Sequence, residues 1–245
     1  MELNNNYDFE YYHRGLSTVF LFFLTWINLY NFKNYFKKND LILEIGCGDG
    51  TISRWLSSKG FKIDALDISP DAIKLAKHHN SSVNYFVGDI FNFKSKIEKY
   101  DVVYSLHVME HIKNIDDSLQ EIHRILKNDG KLVIRIPNSD SFEAKIAGKK
   151  WFHYDEPYHV NHWGYGEFKD ILVKNGFKDI SVNYKLVEYK QVLLYSIMNY
   201  LGFRTDKMNI RILLLPLQII FVPISIFLGF VFGNSGTVEI VAKKF

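Results

Sequence analysis

The sequence predicts an α/β fold built on a doubly wound parallel sheet. Short apolar runs of strand length alternate with segments of helical periodicity along most of the chain. The first apolar run leads through a glycine-rich loop into a helix, a unit typical of parallel sheets that bind ligands at their strand ends. A length of 245 residues, with 47% of them hydrophobic, is enough for one domain with a full core.

The glycine loop is the most informative of these elements. A predicted strand, a glycine loop and a predicted helix follow one another at Leu41–Ile45, 46–50 and 50–59. Two acids, Glu44 and Asp49, flank the glycines. Carboxylates repel phosphate and attract cations, so a sulfonium or ammonium ligand is favoured over a pyrophosphate. The loop has the sequence GCGDG rather than GxGxxG, which also argues against a nicotinamide dinucleotide.

The following elements continue the alternation. Acids end or follow the second and third predicted strands, and histidines follow the fourth. Because the carboxyl ends of parallel strands meet at one edge of a sheet, these side chains are expected at one site. The predicted strands are residues 61–67, 83–87, 101–106, 131–136, 180–189 and 237–242, and the predicted helices are residues 71–79, 116–127 and 167–174.

Five sequence blocks occur in order at regular spacing. They are LEIGCGDG (43–50), ALDIS (65–69), VGDI (87–90), DVVYSLHVMEHI (101–112) and RILKNDGKLVIRIPN (124–138). With them the chain resembles the Rossmann-like (class I) S-adenosylmethionine-dependent methyltransferases. MEHI and the later histidine segment are most similar to the branch that contains ubiquinone-type O-methyltransferases and sugar-modifying relatives. The resemblance implies seven strands, with residues 237–242 as an antiparallel last strand inserted in the sheet.

Asp67 is the strongest candidate for holding the methyl donor. It lies 21 residues beyond Gly46, at the carboxyl end of the second strand, where a carboxylate can accept both ribose hydroxyls. The alternative is a helix-capping aspartate. By resemblance, Asp89 faces the adenine amino group, unless it is a simple turn acid, and Glu44 meets the donor's charged groups or only bonds loop amides. The whole predicted donor site is Glu44, Gly46, Cys47, Gly48, Asp49, Gly50, Asp67, Ile68, Asp89, Ile90 and Leu106.

The histidines after the fourth strand are candidates for activating an acceptor. His111 is the predicted catalytic base, because the family's Glu-His pair falls on Glu110 and His111; packing in the loop is the alternative. His159 is the second predicted catalytic residue. Glu110, His111 and His159 also offer oxygen and nitrogen ligands for a divalent metal, with His162 in reserve. Metal-dependent small-RNA methyltransferases carry a glutamate where this chain has His107, which leaves the identity of the metal open.

An aromatic segment, WFHYDEPYHVNHW at 151–163, is a predicted wall of the acceptor pocket. Its aromatic side chains have apolar bodies and polar tips that suit a ligand. The alternative is an aromatic cluster that braces a loop. The residues assigned to this wall are Trp151, Phe152, Tyr154, Tyr158 and Trp163.

Apolar stretches also lie outside the blocks. Leu16–Leu29 is a predicted helix of 14 residues, too short to span a bilayer; it is expected to pack on the domain, with contact to a membrane as the alternative. Residues 212–232 contain no charge, but the last strand begins only five residues later. A helix that crossed the bilayer would leave this strand on the opposite side of the membrane from its sheet. Pro216 and Pro223 are also expected to break a straight helix. Together with the apolar residues 191–203, this stretch is therefore predicted to form a helical hairpin that dips into one leaflet, with a buried helix pair or a dimer interface as alternatives.

These observations predict three regions: an N-terminal helical segment (1–38), a methyltransferase domain (39–190 and 236–245) and a hydrophobic helical insertion (191–235). The predicted activity is O-methylation of a small or lipid-linked acceptor, such as a quinone precursor or a lipid-linked sugar, with S-adenosyl-L-methionine as donor. A soluble N- or C-methyltransferase whose apolar tail is buried in a dimer is the alternative; the oligomeric state stays open.

Composition and charge restrict the partners and the compartment. A net charge of +3 gives no nucleic-acid footprint, so no nucleic-acid partner is expected. The single cysteine, Cys47, cannot form an internal disulfide, which favours a reducing compartment. Together with the predicted monotopic membrane contact, the reducing compartment predicts a location at the cytoplasmic face of the membrane.

Overall fold

The sheet has the predicted class and topology. The computed structural model describes residues 32–79, 81–154, 158–185, 192–203 and 213–245. They contain a seven-stranded sheet of order β3-β2-β1-β4-β5-β7-β6. The last strand runs antiparallel to both of its neighbours, and β1 to β5 pair in parallel. The implied seven strands and inserted antiparallel last strand are thus confirmed.

The strands and helices have the following bounds. The strands are β1 Leu41–Ile45, β2 Lys62–Asp67, β3 Asn84–Val87, β4 Tyr100–Leu106, β5 Leu126–Pro137, β6 Phe177–Tyr184 and β7 Thr237–Lys244. The helices are α1 Thr51–Ser58, α2 Pro70–His78, α3 Ile115–Ile125, α4 Phe142–Ala147, α5 Tyr165–Lys174, α6 Val192–Tyr200 and α7 Leu215–Phe232. Short 3₁₀ turns lie at Lys33–Tyr35, Met109–His111 and Gly148–Lys150.

Apolar side chains cover both faces of the sheet, as a doubly wound fold requires. In β1, Leu43 packs with α3 and α5 on one face, while Ile42 packs with α1 and α2 on the other. Successive strand residues point to opposite faces, so a continuous apolar run serves both cores. Phe32 extends the second core, where its ring meets the ring of Tyr104 at 5.2 Å.

Two boundaries differ from the sequence prediction for local reasons. The helix predicted at 116–127 ends at Ile125, because Leu126 is already extended and pairs with Tyr100. The predicted stop at 128–130 is a bulged part of β5, in which Asp129 has a φ of 57°. The sixth strand begins three residues earlier than predicted, at Phe177. Residues 186–190, predicted to continue it, lie outside the described part of the chain.

The predicted hydrophobic insertion contains α6 and α7, which pack against each other. Pro216 lies in the first turn of α7, where proline is tolerated, and the helix continues through Pro223, so the expected break does not occur. Among the described residues no helix is both long and apolar enough to cross a membrane. The predicted N-terminal helix Leu16–Leu29 lies outside the described residues, as does most of the segment 1–38.

Candidate active site

The glycine loop lies at the carboxyl end of β1, beside the segment that follows β4. Gly46 has a φ of 76°, a conformation that side chains with a β-carbon rarely adopt. A β-carbon at this position would lie 2.2 Å from Cγ2 of Val108. The amides of Gly46 and Cys47 both donate to the carbonyl oxygen of Leu66 in β2. The loop is therefore held between β2 and the residues after β4, where the strand order reverses.

Asp67 is bound to this loop at the end of β2. Its Oδ2 accepts a hydrogen bond of 2.7 Å from the amide of Gly48, and its Oδ1 accepts one of 2.9 Å from the amide of Ser69. The N-cap of α2 is Ser69, whose hydroxyl accepts from the amide of Ala72, so Asp67 is not the helix cap. The carboxylate therefore joins the glycine loop to the loop after β2.

Glu44 and Cys47 lie beneath the loop rather than on its open side. Glu44 is buried, accepts a hydrogen bond from the hydroxyl of Ser53 and faces Tyr104. Burial, with a smaller contribution from the charge of Asp67, raises the pKa of Glu44 to about 7. Burial also raises the pKa of the Cys47 thiol well above its usual range, which makes the thiolate scarce and disfavours a nucleophilic role.

The remaining predicted donor residues lie around this loop. Asp49 accepts from the amide of Thr51 at the start of α1, next to Gly50. Asp89 accepts from the backbone and side-chain nitrogens of Asn92, so it organises the turn after β3. Ile90 is buried in the core and Leu106 is partly buried, whereas Ile68 is 43% exposed beside Asp67. An exposed apolar side chain next to a carboxylate suits a ring attached to a ribose.

The residues predicted to activate the acceptor come together in one cluster. One potential ligand atom from each of Glu110, His111 and His159 lies within 4.8 Å of the other two. We call these three residues the Glu-His-His cluster. Glu110 is 1% exposed, and among the described residues its carboxylate has no hydrogen-bond donor within ordinary distance. The Nδ1 of His107 lies 3.5 Å from its Oε1. Burial alone would raise the pKa of Glu110, but the neighbouring histidines outweigh it and lower the pKa.

The backbone sets the tautomer of both histidines. The Nδ1 of His111 lies 2.9 Å from the carbonyl oxygen of Tyr158, and the Nδ1 of His159 lies 2.7 Å from that of His153. A carbonyl oxygen only accepts, so each Nδ1 carries a proton, and Nε2 carries the lone pair whenever the ring is neutral. Histidines that bind metals are oriented in this way by their second nitrogen.

Two segments distant in sequence are tied together here. The amides of Val160 and Asn161 both donate to the carbonyl oxygen of Glu110, and the side-chain amide of Asn161 donates to that of Ile112 at 2.7 Å. His107 does not share a helical face with His111, because only the 3₁₀ turn Met109–His111 forms and His107 has a φ of 56°. The reserve ligand His162 instead has its ring 4.8 Å from that of Tyr154.

The predicted aromatic wall is only partly available to a ligand. Trp151 and Trp163 are buried, and Trp163 belongs to the main core with Phe168. Phe152 packs against Tyr195 of α6. The two tryptophans therefore pack in the protein interior, which favours the alternative of a bracing aromatic cluster at these positions.

Several residues that organise the site carry no signal in the sequence. Tyr158 and His153 act through backbone carbonyls, which are present at every position. Asn161 bonds backbone groups across the site, and asparagine in a loop has many uses. A motif search restricted to side chains cannot find the first two.

Comparisons with known proteins agree with this architecture. The family model described as "Methyltransferase domain" matches residues 11–182. The ubiquinone biosynthesis O-methyltransferase of Pelagibacter ubique is 29% identical over 148 residues, which are 56% of this chain and 61% of that protein. The malonyl-[acyl-carrier protein] O-methyltransferase of Enterobacter lignolyticus is 30% identical over 121 residues, 49% of this chain and 47% of its own length.

A solved structure shows the same fold. Phosphoethanolamine N-methyltransferase 2 of Haemonchus contortus, in complex with S-adenosyl-L-methionine, superposes with a TM-score of 0.62 at 21% identity. The match covers 89% of this chain and 52% of that one. The chain thus spans about half to three fifths of the length of these relatives.

Proposed function

Since the chain belongs to the class I S-adenosylmethionine-dependent methyltransferases, we propose that it transfers a methyl group to a hydroxyl oxygen of a small or lipid-linked acceptor. The observation that carries the choice of oxygen is the Glu-His-His cluster beside the glycine loop. An uncharged hydroxyl is a weak nucleophile until its proton is removed, whereas an amine keeps a reactive lone pair. A buried carboxylate with two oriented imidazoles suits that proton removal.

Donor binding is assigned to the loops that Asp67 joins. S-adenosylmethionine supplies a methyl carbon already activated by its sulfonium group. Asp67, at the end of β2, is the proposed acceptor for ribose hydroxyls, with Ile68 as an apolar support for the ring. Gly46 gives the close backbone approach that the rest of the donor needs. Glu44 supports the loop from below instead of contacting the donor.

The transfer requires one bond to form and one to break. The acceptor oxygen bonds to the methyl carbon, the carbon–sulfur bond breaks, and its electron pair stays on sulfur. The hydroxyl proton leaves to Nε2 of His111; a divalent cation, if held by Glu110, His111 and His159, would instead lower the pKa of the hydroxyl. The protein's main task is to align the oxygen with the methyl carbon.

We further propose that the Glu-His-His cluster holds a divalent cation. The buried carboxylate of Glu110 has the imidazole of His107 3.5 Å away but no ordinary hydrogen bond among the described residues, and a divalent cation would compensate its charge. Mixed nitrogen and oxygen ligands suit a divalent transition ion, which would lower the pKa of a bound hydroxyl as a Lewis acid. His107 carries an imidazole close to Glu110, where small-RNA methyltransferases have a carboxylate, and this favours a softer ion than magnesium.

Metal analysis and chelation test this assignment. We expect metal in the purified protein, its loss in His159→Ala, and its retention in the matched variant His162→Ala. Chelation should abolish methyl transfer, and a divalent transition ion should restore it. Full activity after complete removal of metal would leave His111 as the base and exclude the cation.

Transfer of a labelled methyl group tests the activity itself. The protein is incubated with lipid extracts and isotopically labelled S-adenosylmethionine, and the products are analysed by mass spectrometry. Label on an oxygen of a lipid or quinone-like acceptor is expected. Label on nitrogen or carbon would support the alternative chemistry. A chain without affinity for the donor or its demethylated product would exclude any transfer.

A further inference from the structure

The last helix, α7, buries its polar side chains and exposes apolar ones, which is the reverse of an ordinary surface helix. Its buried stripe repeats every three or four residues and carries small or polar side chains among the apolar ones: Leu214, Gln218, Val222, Ser225 and Gly229. Gln218 donates to the hydroxyl of Tyr195 at 3.0 Å, and the hydroxyl of Ser225 lies 3.5 Å from Oε1 of the buried Glu143. The polar groups of this helix therefore face the protein.

The opposite side of α7 is apolar and exposed. Ile219 and Phe230 are 74% and 76% exposed. A helix on a water-facing surface has the reverse pattern, with polar residues outside. Single exposed apolar residues are ordinary, but a continuous patch indicates an interaction surface. We call this side the outer face; it consists of Leu217, Ile219, Ile220, Ile224, Phe227, Phe230, Val231 and Phe232.

The patch continues onto the end of α6, where Tyr200, Leu201 and Phe203 are exposed. The described residues 192–203 and 213–236 contain no charged side chain. The insertion is anchored to the domain, since Phe232 stacks on Phe142 of α4 with ring centroids 5.3 Å apart. The outer face is thus part of the folded body and presents no charge of its own.

Exposed cations lie next to this apolar patch. Lys145, Lys149 and Lys150 are exposed on α4 and on the 3₁₀ turn after it, and both elements pack against α6. Glu143, the acid of α4, is buried. An apolar centre with lysines beside it matches the layers of an anionic bilayer, with acyl chains under charged headgroups.

We propose that the outer face of α7, with the exposed end of α6, docks on the surface of an anionic lipid bilayer. Its apolar side chains enter the boundary of headgroups and acyl chains, and the lysines contact the headgroups. This docking does not depend on the proposed methyl transfer. It would bring the active site close to a lipid-borne acceptor, because the amide of Phe152 donates to Ser196 of α6, and the next residue, His153, orients His159.

Flotation with lipid vesicles tests the proposal. The full chain, freed of detergent, is mixed with vesicles of phosphatidylglycerol and phosphatidylcholine and centrifuged through a density gradient. The wild-type protein should float with the vesicles. The double variant Ile219→Lys/Phe230→Lys should bind roughly tenfold or more weakly, because two charges would enter the apolar layer. Circular dichroism and thermal unfolding establish that the variant folds.

A matched variant separates the outer face from a general effect of charge. Ile97→Lys/Val173→Lys adds the same two charges at apolar positions that are 66% and 56% exposed on other elements, and it should float like the wild type. Lys149→Ala/Lys150→Ala should weaken binding roughly fivefold per lysine on anionic vesicles.

Three outcomes would overturn the docking. One is wild-type protein that stays at the bottom of the gradient. Another is equal loss of flotation in the matched variant. The third is a dimer in sedimentation analysis that the α7 variant dissociates, without vesicle binding by either protein. If the lysine variant floats as well as the wild type, contacts between these lysines and the headgroups would be excluded.

Discussion

Gly46 lies so close to Val108 that a β-carbon on the glycine would be 2.2 Å from Cγ2 of the valine. The first residue belongs to the loop after β1 and the second to the segment after β4, and these strands are neighbours in the sheet. Val108 precedes Glu110 by two residues. This contact therefore limits how closely the proposed donor loop and the segment of the Glu-His-His cluster can approach each other, and it leaves no room for a side chain at position 46.

The first prediction is that Gly46→Ala impairs donor binding. The substitution combines an unfavourable positive φ with a clash against a stiff, β-branched side chain. We expect a stability loss of ~3–5 kcal/mol from the two effects. Affinity for S-adenosylhomocysteine should fall roughly tenfold or more, since the loop must shift to relieve the clash. Calorimetry and urea unfolding measure both quantities.

Gly60→Ala is the matched control. Gly60 also has a positive φ, 88°, but a β-carbon there would meet nothing within 4 Å. It should cost about 1–2 kcal/mol from backbone strain and leave donor affinity unchanged. Equal donor affinities in the two variants would show that the contact with Val108 does not shape the loop.

The second prediction concerns stability as a function of pH. Burial raises the pKa of Glu44 from 4.5 to about 7, so the folded chain holds this proton more tightly than the unfolded chain. The contribution of Glu44 to the free energy of unfolding must then fall as pH rises from about 5 to 8, by ~2–3 kcal/mol. Glu44→Gln should gain that amount relative to the wild type over this range in urea unfolding. A constant difference between the two proteins would contradict it.

Strand periodicity was sufficient to predict the fold, and strand-end chemistry indicated which edge of the sheet carries the candidate site residues. A strand such as Leu41–Ile45 is recognisable because both of its faces are buried, and Asp67 because parallel strands end at one edge. The role of Glu44 was left open between the donor's charged groups and the loop amides. The structure adds a partner that neither alternative named, the hydroxyl of Ser53 nine residues away.

Long-range backbone contacts explain what the sequence did not reveal. The amide of Asn161 reaches Ile112 across 49 residues, and nothing local to either position indicates it. Trp163 has the side chain expected of a pocket wall, yet it packs in the core, because aromatic residues serve both purposes. The inverted pattern of α7 was hidden for a similar reason: a helix apolar on every side does not reveal which side is buried.

The third prediction is that Asn161→Ala weakens metal binding, although Asn161 is not one of the proposed ligands. The Asn161 side chain ties the segment of His159 to the turn of Glu110. Without it, the distance between His159 and Glu110 should be less well fixed. Metal affinity is expected to fall about 10–100-fold, with a stability cost near ~1 kcal/mol. Asn183→Ala is the control, since it also loses one side-chain hydrogen bond, to Tyr35. A titration with divalent cations should separate the two; equal affinities would exclude a positioning role for Asn161.

The fourth prediction concerns the buried charges that join β5 to β7. Glu239 is fully buried, and its carboxylate accepts from Arg135, which is also buried, and lies 2.7 Å from Nζ of Lys185. Glu239→Ala would leave Arg135 as an uncompensated charge inside the protein, so we expect a loss of about 3–5 kcal/mol in the free energy of unfolding. Glu121→Ala breaks the pair with Arg124 on the more exposed α3 and should cost below ~1 kcal/mol, because water replaces the partner. Similar losses in the two variants would mean that water reaches Arg135 and that the buried ion pair does not hold the inserted last strand.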